Sequence, residues 1–135
     1  MSKKNKLHNG RVLVVDDTIS RHQRFDEIFE DYCPELRLKV DHSFGPHDAI
    51  QKLGEAALKG WEYRLLCLDH DLSVLDDGRN LSSWLKENSE ACPSAILIHS
   101  HNHICAKTME EICSSIRRPD GSYPVVKRIP FAPRN

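Results

Sequence analysis

The sequence contains no apolar run long enough to cross a membrane. None of its stretches approaches the ~18 consecutive apolar residues that a membrane-spanning helix needs. Residues 1–6 are basic but lack the apolar segment of a signal peptide. We therefore expect a soluble, cytoplasmic protein that makes no membrane contact.

Cysteine pairs and an excess of positive charge are also missing. The five cysteines are odd in number and include no Cys-x-x-Cys motif, which argues against a disulfide framework and against a zinc finger. Reduced thiols in the cytoplasm are the simpler explanation. A formal net charge of −1 argues against strong binding to duplex nucleic acid, because proteins that bind it neutralise many phosphates with basic side chains.

What the sequence does contain is an alternation of buried-strand and amphipathic-helix patterns. Short apolar runs predict strands, and apolar residues at spacings of three and four predict four helices between them. Proline or glycine marks several helix ends, for example Pro46 at the start of the second helix and Gly60 after it. The predicted strands are residues 12–15, 36–40, 65–68, 95–98 and 125–129.

This order of elements predicts an α/β fold with one doubly wound, parallel sheet of five strands. Helical crossovers between parallel strands are right-handed and cover both faces of a sheet. The flavodoxin-like strand order 2-1-3-4-5 is the expected arrangement, with its switch point between strands one and three. We expect one domain over residues 10–135, after a disordered basic tail over residues 1–9.

Acidic residues and histidines directly follow three of the predicted strands. Asp16 and Asp17 come after the first strand, residues 69–71 (Asp-His-Asp) after the third, and residues 99–101 (His-Ser-His) after the fourth. Ligands of open parallel sheets bind at the carboxyl ends of the strands. The sequence therefore predicts one acidic crevice that also contains histidines.

The carboxylates of this crevice favour a bound cation. Carboxylates at one site repel each other unless some are protonated or a cation neutralises them. Oxygen ligands favour Mg²⁺, whereas imidazole ligands shift the preference toward Mn²⁺, Zn²⁺ or Fe²⁺. We expect a divalent metal, Mg²⁺ or Mn²⁺ with Zn²⁺ also open, and the alternative is an acidic cluster held only by hydrogen bonds. The predicted metal ligands are Asp16, Asp17, Asp69 and Asp71.

Histidines beside a metal indicate phosphoester hydrolysis. The metal would polarise a phosphoryl oxygen, and a neutral imidazole of His99 or His70 would transfer the proton. Arg128, at the end of the fifth strand, would bind the phosphate with two donors. The candidate catalytic residues are His99, His70, Asp69 and Arg128. The candidate substrate-binding residues are Arg21, Arg79, Ser100, Asn102 and His101.

Purely structural roles stay open for several of these residues. His70 could cap a backbone group, and His101 could be a surface residue of a loop. Arginines near helix starts, such as Arg21 and Arg79, are often only solvated. His22 could face the crevice or solvent, and His42 is expected at the periphery.

The acidic residues resemble those of the receiver domain of bacterial response regulators. The resemblance lies in Asp16 and Asp17, Asp69, Ser100 and Pro130, each at the end of its strand. It implies a receiver-like fold in which the acidic pair and Asp69 hold Mg²⁺ while Asp69 is phosphorylated. The sequence departs from receivers in three ways. Ile129 replaces the lysine before the proline, and the segment 69–78 is one residue longer than usual and lacks its proline. With four residues after Phe131 we also expect the fifth helix to be missing.

A further set of motifs resembles the cyclic-phosphate-processing receiver domains. The motifs are Asp16-Asp17 followed by Arg21-His22 and Phe25, Leu-Asp-His-Asp-Leu at 68–72, Asp-Gly-Arg at 77–79 before Trp84-Leu85, His99-Ser100-x-Asn102, and Arg128-x-Pro130-Phe131. This resemblance implies a hydrolase that opens a cyclic phosphate, on a small molecule or an RNA end, to a phosphomonoester. The alternative is a non-catalytic or phospho-accepting module for signalling or sensing that uses Asp69.

Overall fold

Five parallel strands and four α-helices make up the part of the chain that the structure describes. The computed structural model describes residues 10–69, 78–99 and 103–129. The strands are β1 (Val12–Val15), β2 (Val40–Ser43), β3 (Leu65–Asp69), β4 (Ala95–His99) and β5 (Val125–Ile129). The helices are α1 (Ile19–Tyr32), α2 (Pro46–Leu58), α3 (Gly78–Glu87) and α4 (His103–Ser114).

The strands pair in the order β2-β1-β3-β4-β5, and every pair is parallel. This confirms the predicted doubly wound sheet and its order. The chain passes from β1 to β2 at one edge and returns to β3 on the other side of β1, so the switch point lies between β1 and β3. None of the helices in the described part of the chain is both long and apolar enough to cross a membrane.

Side chains alternate between the two faces of the sheet and build two apolar layers. On one face Leu13, Leu66 and Ile96 join a core that includes Leu53 of α2 and Met109 of α4. On the opposite face, called the α1 face below, Val12, Val14 and Cys67 pack against Phe25 and Phe29. Strand positions with the parity of Val14 and Cys67 therefore point toward α1.

Helix α1 forms because its apolar residues lie on one side. His22, Phe25 and Phe29 recur at spacings of three and four and are all buried. The helix begins after Thr18, whose carbonyl accepts hydrogen bonds from the backbone of Arg21 and His22. Pro34 follows its C-terminal cap, Cys33, at a point where proline cannot continue a helix. The first turns of α1 are thereby held over the carboxyl end of β1.

The second strand begins four residues later than predicted. Residues 36–40 alternate like a strand, yet Pro34–Lys39 forms a 3-10 helix and β2 pairs with β1 only from Val40 to Ser43. Pro34 at the first position has a φ angle suited to a helical turn. A three-residue apolar alternation is too short to specify a strand. The observed register places His42 opposite Val14, on the α1 face.

Truncating a core leucine of β3 should cost far more stability than truncating a surface leucine. Leu66 is fully buried, whereas Leu58 at the end of α2 is 89% exposed. We expect Leu66→Ala to lower the free energy of unfolding by about 2–5 kcal/mol, through lost burial and a residual cavity. Leu58→Ala, measured in the same urea titration, should change it by less than about 0.5 kcal/mol. Equal losses in the two variants would contradict the described core.

Candidate functional site

Three buried polar side chains meet at the carboxyl edge of the sheet. Asp16 follows β1, Asp69 ends β3, and His99 ends β4 directly beside Asp69 in the strand register. Each of the three is at most 1% exposed. One ligand atom from each lies within 4.8 Å of the other two. All three share the parity that points to the α1 face, so α1 covers them.

Arg21 of α1 lies between the two carboxylates. One of its terminal nitrogens is 3.5 Å from Asp16 Oδ2 and 3.5 Å from Asp69 Oδ2. The arginine side chain is 16% exposed, so solvent screens this contact only in part. A single guanidinium thus offsets part of the negative charge that Asp16 and Asp69 bring into a buried space.

Protein groups hold Asp16 at three points and leave one carboxylate oxygen toward the site. The Asp16 amide donates to the Ser43 carbonyl at 3.1 Å, and the Thr18 amide donates to Asp16 Oδ1 at 2.8 Å. The Asp16 carbonyl lies 2.7 Å from Nε2 of His22. Oδ2 accepts no hydrogen bond from a residue that the structure describes. Among the residues that the structure describes, Arg21 lies 3.5 Å from this oxygen and Nδ1 of His99 lies 3.6 Å from it.

Burial shifts the pKa values of both Asp16 and His99. It raises the pKa of the Asp16 carboxyl, although the hydrogen bond from Thr18 and the charge of Arg21 act in the opposite direction. Burial, together with the charges of Arg21 and His22, lowers the pKa of His99 to about 3. His99 is therefore a neutral imidazole near neutral pH. Such a ring can ligate a metal without first losing a proton.

The residues present fit a divalent metal ion. Asp16 and Asp69 supply carboxylate oxygens, and His99 supplies a neutral nitrogen. Two carboxylates in a buried space favour a cation, and the Asp16 oxygen without a hydrogen bond is a suitable ligand atom. A mixed set of oxygen and imidazole ligands suits Mn²⁺ and Zn²⁺ as well as Mg²⁺.

Two of the predicted site residues lie away from this group. Asp17 is exposed, and its carboxylate accepts a hydrogen bond from the Thr18 hydroxyl. Arg128 of β5 pairs with Glu110 of α4, with 2.9 Å between Nε and Oε1. Arg128 is also in register with Ile98, whose side chain packs in the core opposite the α1 face. The arginine brought to the carboxylates is therefore Arg21, because strand parity turns Arg128 to the other face.

Several other predicted site residues cannot be placed. His70, Asp71, Ser100, His101 and Asn102 lie outside the described residues, and so does the side chain of Arg79. Their proposed roles in catalysis, metal binding and substrate binding stay predictions.

The structure adds two histidines to the surroundings of the site. Nδ1 of His22 is hydrogen-bonded to Nδ1 of His42, and Nε2 of His42 lies 3.1 Å from Asp26 Oδ1. His42 was expected at the periphery, but it contacts a residue that touches Asp16. The predicted strand ended at Val40, before His42, whereas the observed β2 continues to Ser43 and places His42 on the α1 face. The sequence did carry a signal for this position, because Val40 and His42 are two residues apart and so lie on the same face of a strand.

Solved receiver structures share this fold at low sequence identity. The phosphorylated cyanobacterial phytochrome response regulator RcpA aligns with a TM-score of 0.66 and 13% identity, over 91% of this chain and 81% of that one. The Mn(2+)-bound form of response regulator Rcp1 aligns at 0.63 and 16%, over 93% and 83%. A two-component response regulator from Legionella pneumophila aligns at 0.63 and 12%, over 89% and 84%. Identities this low show the fold alone.

Family-level similarity is more specific than these structural likenesses. No curated protein matches the sequence. A family model described as the cyclic-phosphate processing receiver domain matches residues 13–115 and includes Asp16, Arg21, Asp69 and His99. The match spans most of the chain and confirms the resemblance seen in the motifs. The chain therefore belongs to the cyclic-phosphate-processing receiver domain family.

Proposed function

We propose that this protein is a metal-dependent phosphoesterase that opens a cyclic phosphate to a phosphomonoester. The observation that carries the proposal is the buried group of Asp16, Asp69 and His99. A divalent cation bound there would supply Lewis acidity toward a phosphoryl oxygen. Membership of the cyclic-phosphate-processing receiver family supports a cyclic phosphate as the substrate. Mn²⁺ is a reasonable first choice of metal, because Rcp1, a protein of the same fold, has a Mn(2+)-bound form.

In this proposal His99 ligates the metal rather than transferring the proton. A general base works best when its pKa lies near the working pH, and the pKa of His99 is about 3. A ligand, in contrast, needs only a neutral nitrogen, and Nδ1 lies 3.6 Å from Asp16 Oδ2 and 4.0 Å from Asp69 Oδ1. The proton-transfer role then passes to the other predicted histidine, His70, which directly follows Asp69 in the sequence.

Arg21 is proposed to bind the phosphate. Its guanidinium contacts both carboxylates, and a cation bound by the same carboxylates would repel it. The side chain would then turn its donors to an anionic substrate that lies against the metal, as arginine commonly does with phosphate. In the overall reaction a water oxygen bonds to phosphorus, one ring P–O bond breaks, and the leaving alkoxide takes up a proton. The product is a single phosphomonoester.

The competing proposal is a phospho-accepting receiver that uses Asp69. The receiver fold and the position of Asp69 at the end of β3 favour it. The burial of Asp69, at 1% exposed, and its contact with Arg21 favour the hydrolase, because the Asp69 carboxylate would have to be accessible to attack the phosphorus of a phosphodonor and displace its leaving group.

Metal binding and turnover should both depend on Asp69. Asp69→Asn keeps the shape of the side chain but removes one of two carboxylate charges. We therefore expect weaker Mn²⁺ binding in calorimetry, a more stable metal-free protein, and loss of hydrolysis of nucleoside 2′,3′-cyclic phosphates followed by ³¹P NMR. Asp31→Asn, an exposed carboxylate of α1, is the matched control and should change none of these.

The same experiment separates the two proposals. Suppose that acetyl phosphate labels Asp69 stably and that no cyclic phosphate is turned over with Mg²⁺, Mn²⁺ or Zn²⁺. This result would support the phospho-accepting receiver and overturn the proposed hydrolase function. Equal Mn²⁺ affinity in the wild type and in Asp69→Asn would remove Asp69 from the metal site.

A further inference from the structure

A series of hydrogen bonds runs from the backbone of Asp16 to the outer side of α1. It begins at the Asp16 carbonyl, 2.7 Å from Nε2 of His22. It continues through the bond between the Nδ1 atoms of His22 and His42 and ends at Asp26, 3.1 Å from Nε2 of His42. His22 is 4% exposed, whereas the side chain of His42 is 27% exposed and that of Asp26 50%. This series of hydrogen bonds therefore connects a buried residue of the candidate metal site to solvent.

The acceptors at the two ends set the direction of each hydrogen bond. A backbone carbonyl and an ionised carboxylate can only accept, so Nε2 of His22 and Nε2 of His42 both carry protons. The bond between the two Nδ1 atoms needs one more proton. That proton lies on one of the two rings, which then donates to the other.

Burial disfavours a second proton on the ring of His22. Burial lowers the pKa of His22, and the charge of His42 lowers it further. His42 instead opens into a surface pocket of about 520 Å³. The other residues that line this pocket are Asp26, Glu27, Glu30, Asp31 and Val40. His42 is then the donor to Nδ1 of His22, and His22 can donate only through Nε2, to Asp16.

The ring of His22 is also fixed by packing. Its centroid lies 4.0 Å from that of Phe44 and 4.6 Å from that of His42. With the ring held on these sides, the bond from Nε2 fixes the peptide that follows Asp16. Asp16 is also held by its hydrogen bonds with Ser43 and Thr18. Its second carboxylate oxygen, Oδ2, therefore has one preferred direction.

We propose that His42 and Asp26 are positioning residues of the candidate metal site. They hold His22 so that it donates to the Asp16 carbonyl, and His22 in turn aims Asp16 Oδ2 at Asp69 and His99. The inference deepens the proposed function, on which its metal readout rests. Groups that orient metal ligands from behind are typically worth about 10–100-fold in metal affinity.

Mn²⁺ affinity measured by electron paramagnetic resonance tests this role. We expect His42→Leu to weaken Mn²⁺ binding by about 10-fold or more. Asp26→Ala should weaken binding as well. Asp31→Ala is the matched control, since it removes the same charge from the same pocket but no hydrogen bond to His42 in the described structure, and it should leave the affinity unchanged.

A double-mutant cycle shows whether His42 acts through His22. In His22→Gln the side-chain amide can still donate to the Asp16 carbonyl. Unlike an imidazole, the amide has a fixed donor, so it does not depend on a hydrogen bond from His42 to choose which nitrogen carries the proton. His42→Leu should therefore cost Mn²⁺ affinity in the wild-type background and little in the His22→Gln background. His22→Leu, which removes the donor, should lose as much as His42→Leu. Equal losses from His42→Leu in both backgrounds would overturn the proposed path.

A metal-independent readout keeps this inference separate from the proposed function. The Thr18 amide donates to Asp16 Oδ1, so its proton chemical shift in the metal-free protein reports the orientation of that carboxylate. We expect the shift to move in His42→Leu and Asp26→Ala but not in Asp31→Ala. An unmoved Thr18 amide would overturn the positioning role, whatever the metal affinities. If the wild type binds no Mn²⁺ but the amide moves, the metal function fails and the positioning of Asp16 stands. If His42→Leu does not fold, the Mn²⁺ affinity and the Thr18 amide shift of Asp26→Ala test the proposal instead.

Discussion

Replacing His99 by alanine is expected to abolish most of the cyclic-phosphate hydrolysis at limiting Mn²⁺. The substitution removes the one nitrogen that the described site offers beside two carboxylate oxygens. We expect a loss of Mn²⁺ affinity on the order of 10²-fold, because a ligand contributes at least as much as the groups that orient it. Titrating turnover against Mn²⁺ gives both the affinity and the rate at saturation.

The rate at saturating Mn²⁺ distinguishes a ligand from a proton carrier. If His99 is a ligand, excess metal should restore most of the turnover in His99→Ala. A deficit of about 10²–10⁴-fold that persists at saturation would instead mean that His99 transfers the proton. His99→Gln fills more of the buried volume and controls for a cavity, and His47→Ala removes an exposed histidine of α2. Unchanged affinity and turnover in a folded His99→Ala would exclude the residue from the site.

The metal-free protein is expected to lose stability steadily as the pH falls from about 7 toward 4. The pKa of His99 is about 3 in the folded protein, compared with 6.5 for an ordinary histidine. The unfolded chain therefore takes up this proton first. The stabilising contribution is fully present above pH 6.5 and falls by about 1.4 kcal/mol per pH unit as the pH decreases toward 3. His22, whose pKa is also lowered by burial, adds a loss of the same sign.

The carboxyl of Asp16 opposes this trend at the acid end. Its pKa is raised, so the folded protein binds this proton before the unfolded chain does, and the protonation stabilises the fold. The histidine effect should therefore be clearest in the upper part of the range, near pH 5–6.5. Urea titrations at several pH values, in the presence of a chelator, measure the slope. His99→Gln should lower the slope by about one proton, whereas His47→Gln should leave it unchanged; equal slopes in all three proteins would contradict the buried neutral imidazole.

The sequence by itself determined the sheet and the meeting of its three polar residues. Apolar runs and right-handed crossovers are enough to predict a parallel sheet of order 2-1-3-4-5. Asp16, Asp69 and His99 lie at or just past the ends of strands that are neighbours in this order, so their convergence follows from topology. Local motifs such as Asp16-Asp17 with Arg21-His22 were also enough to recognise the family.

Only the tertiary structure decided which other side chains surround that group. Arg128 and Arg21 were both reasonable phosphate ligands, but strand parity turns Arg128 toward Glu110, while the packing of α1 places Arg21 between the carboxylates. The link between His22 and His42 likewise depends on how far β2 extends along β1. A shift of one residue in a strand moves a side chain to the opposite face, and the docking of a helix depends on contacts between distant parts of the chain. Neither can be determined from a local pattern of apolar and polar residues.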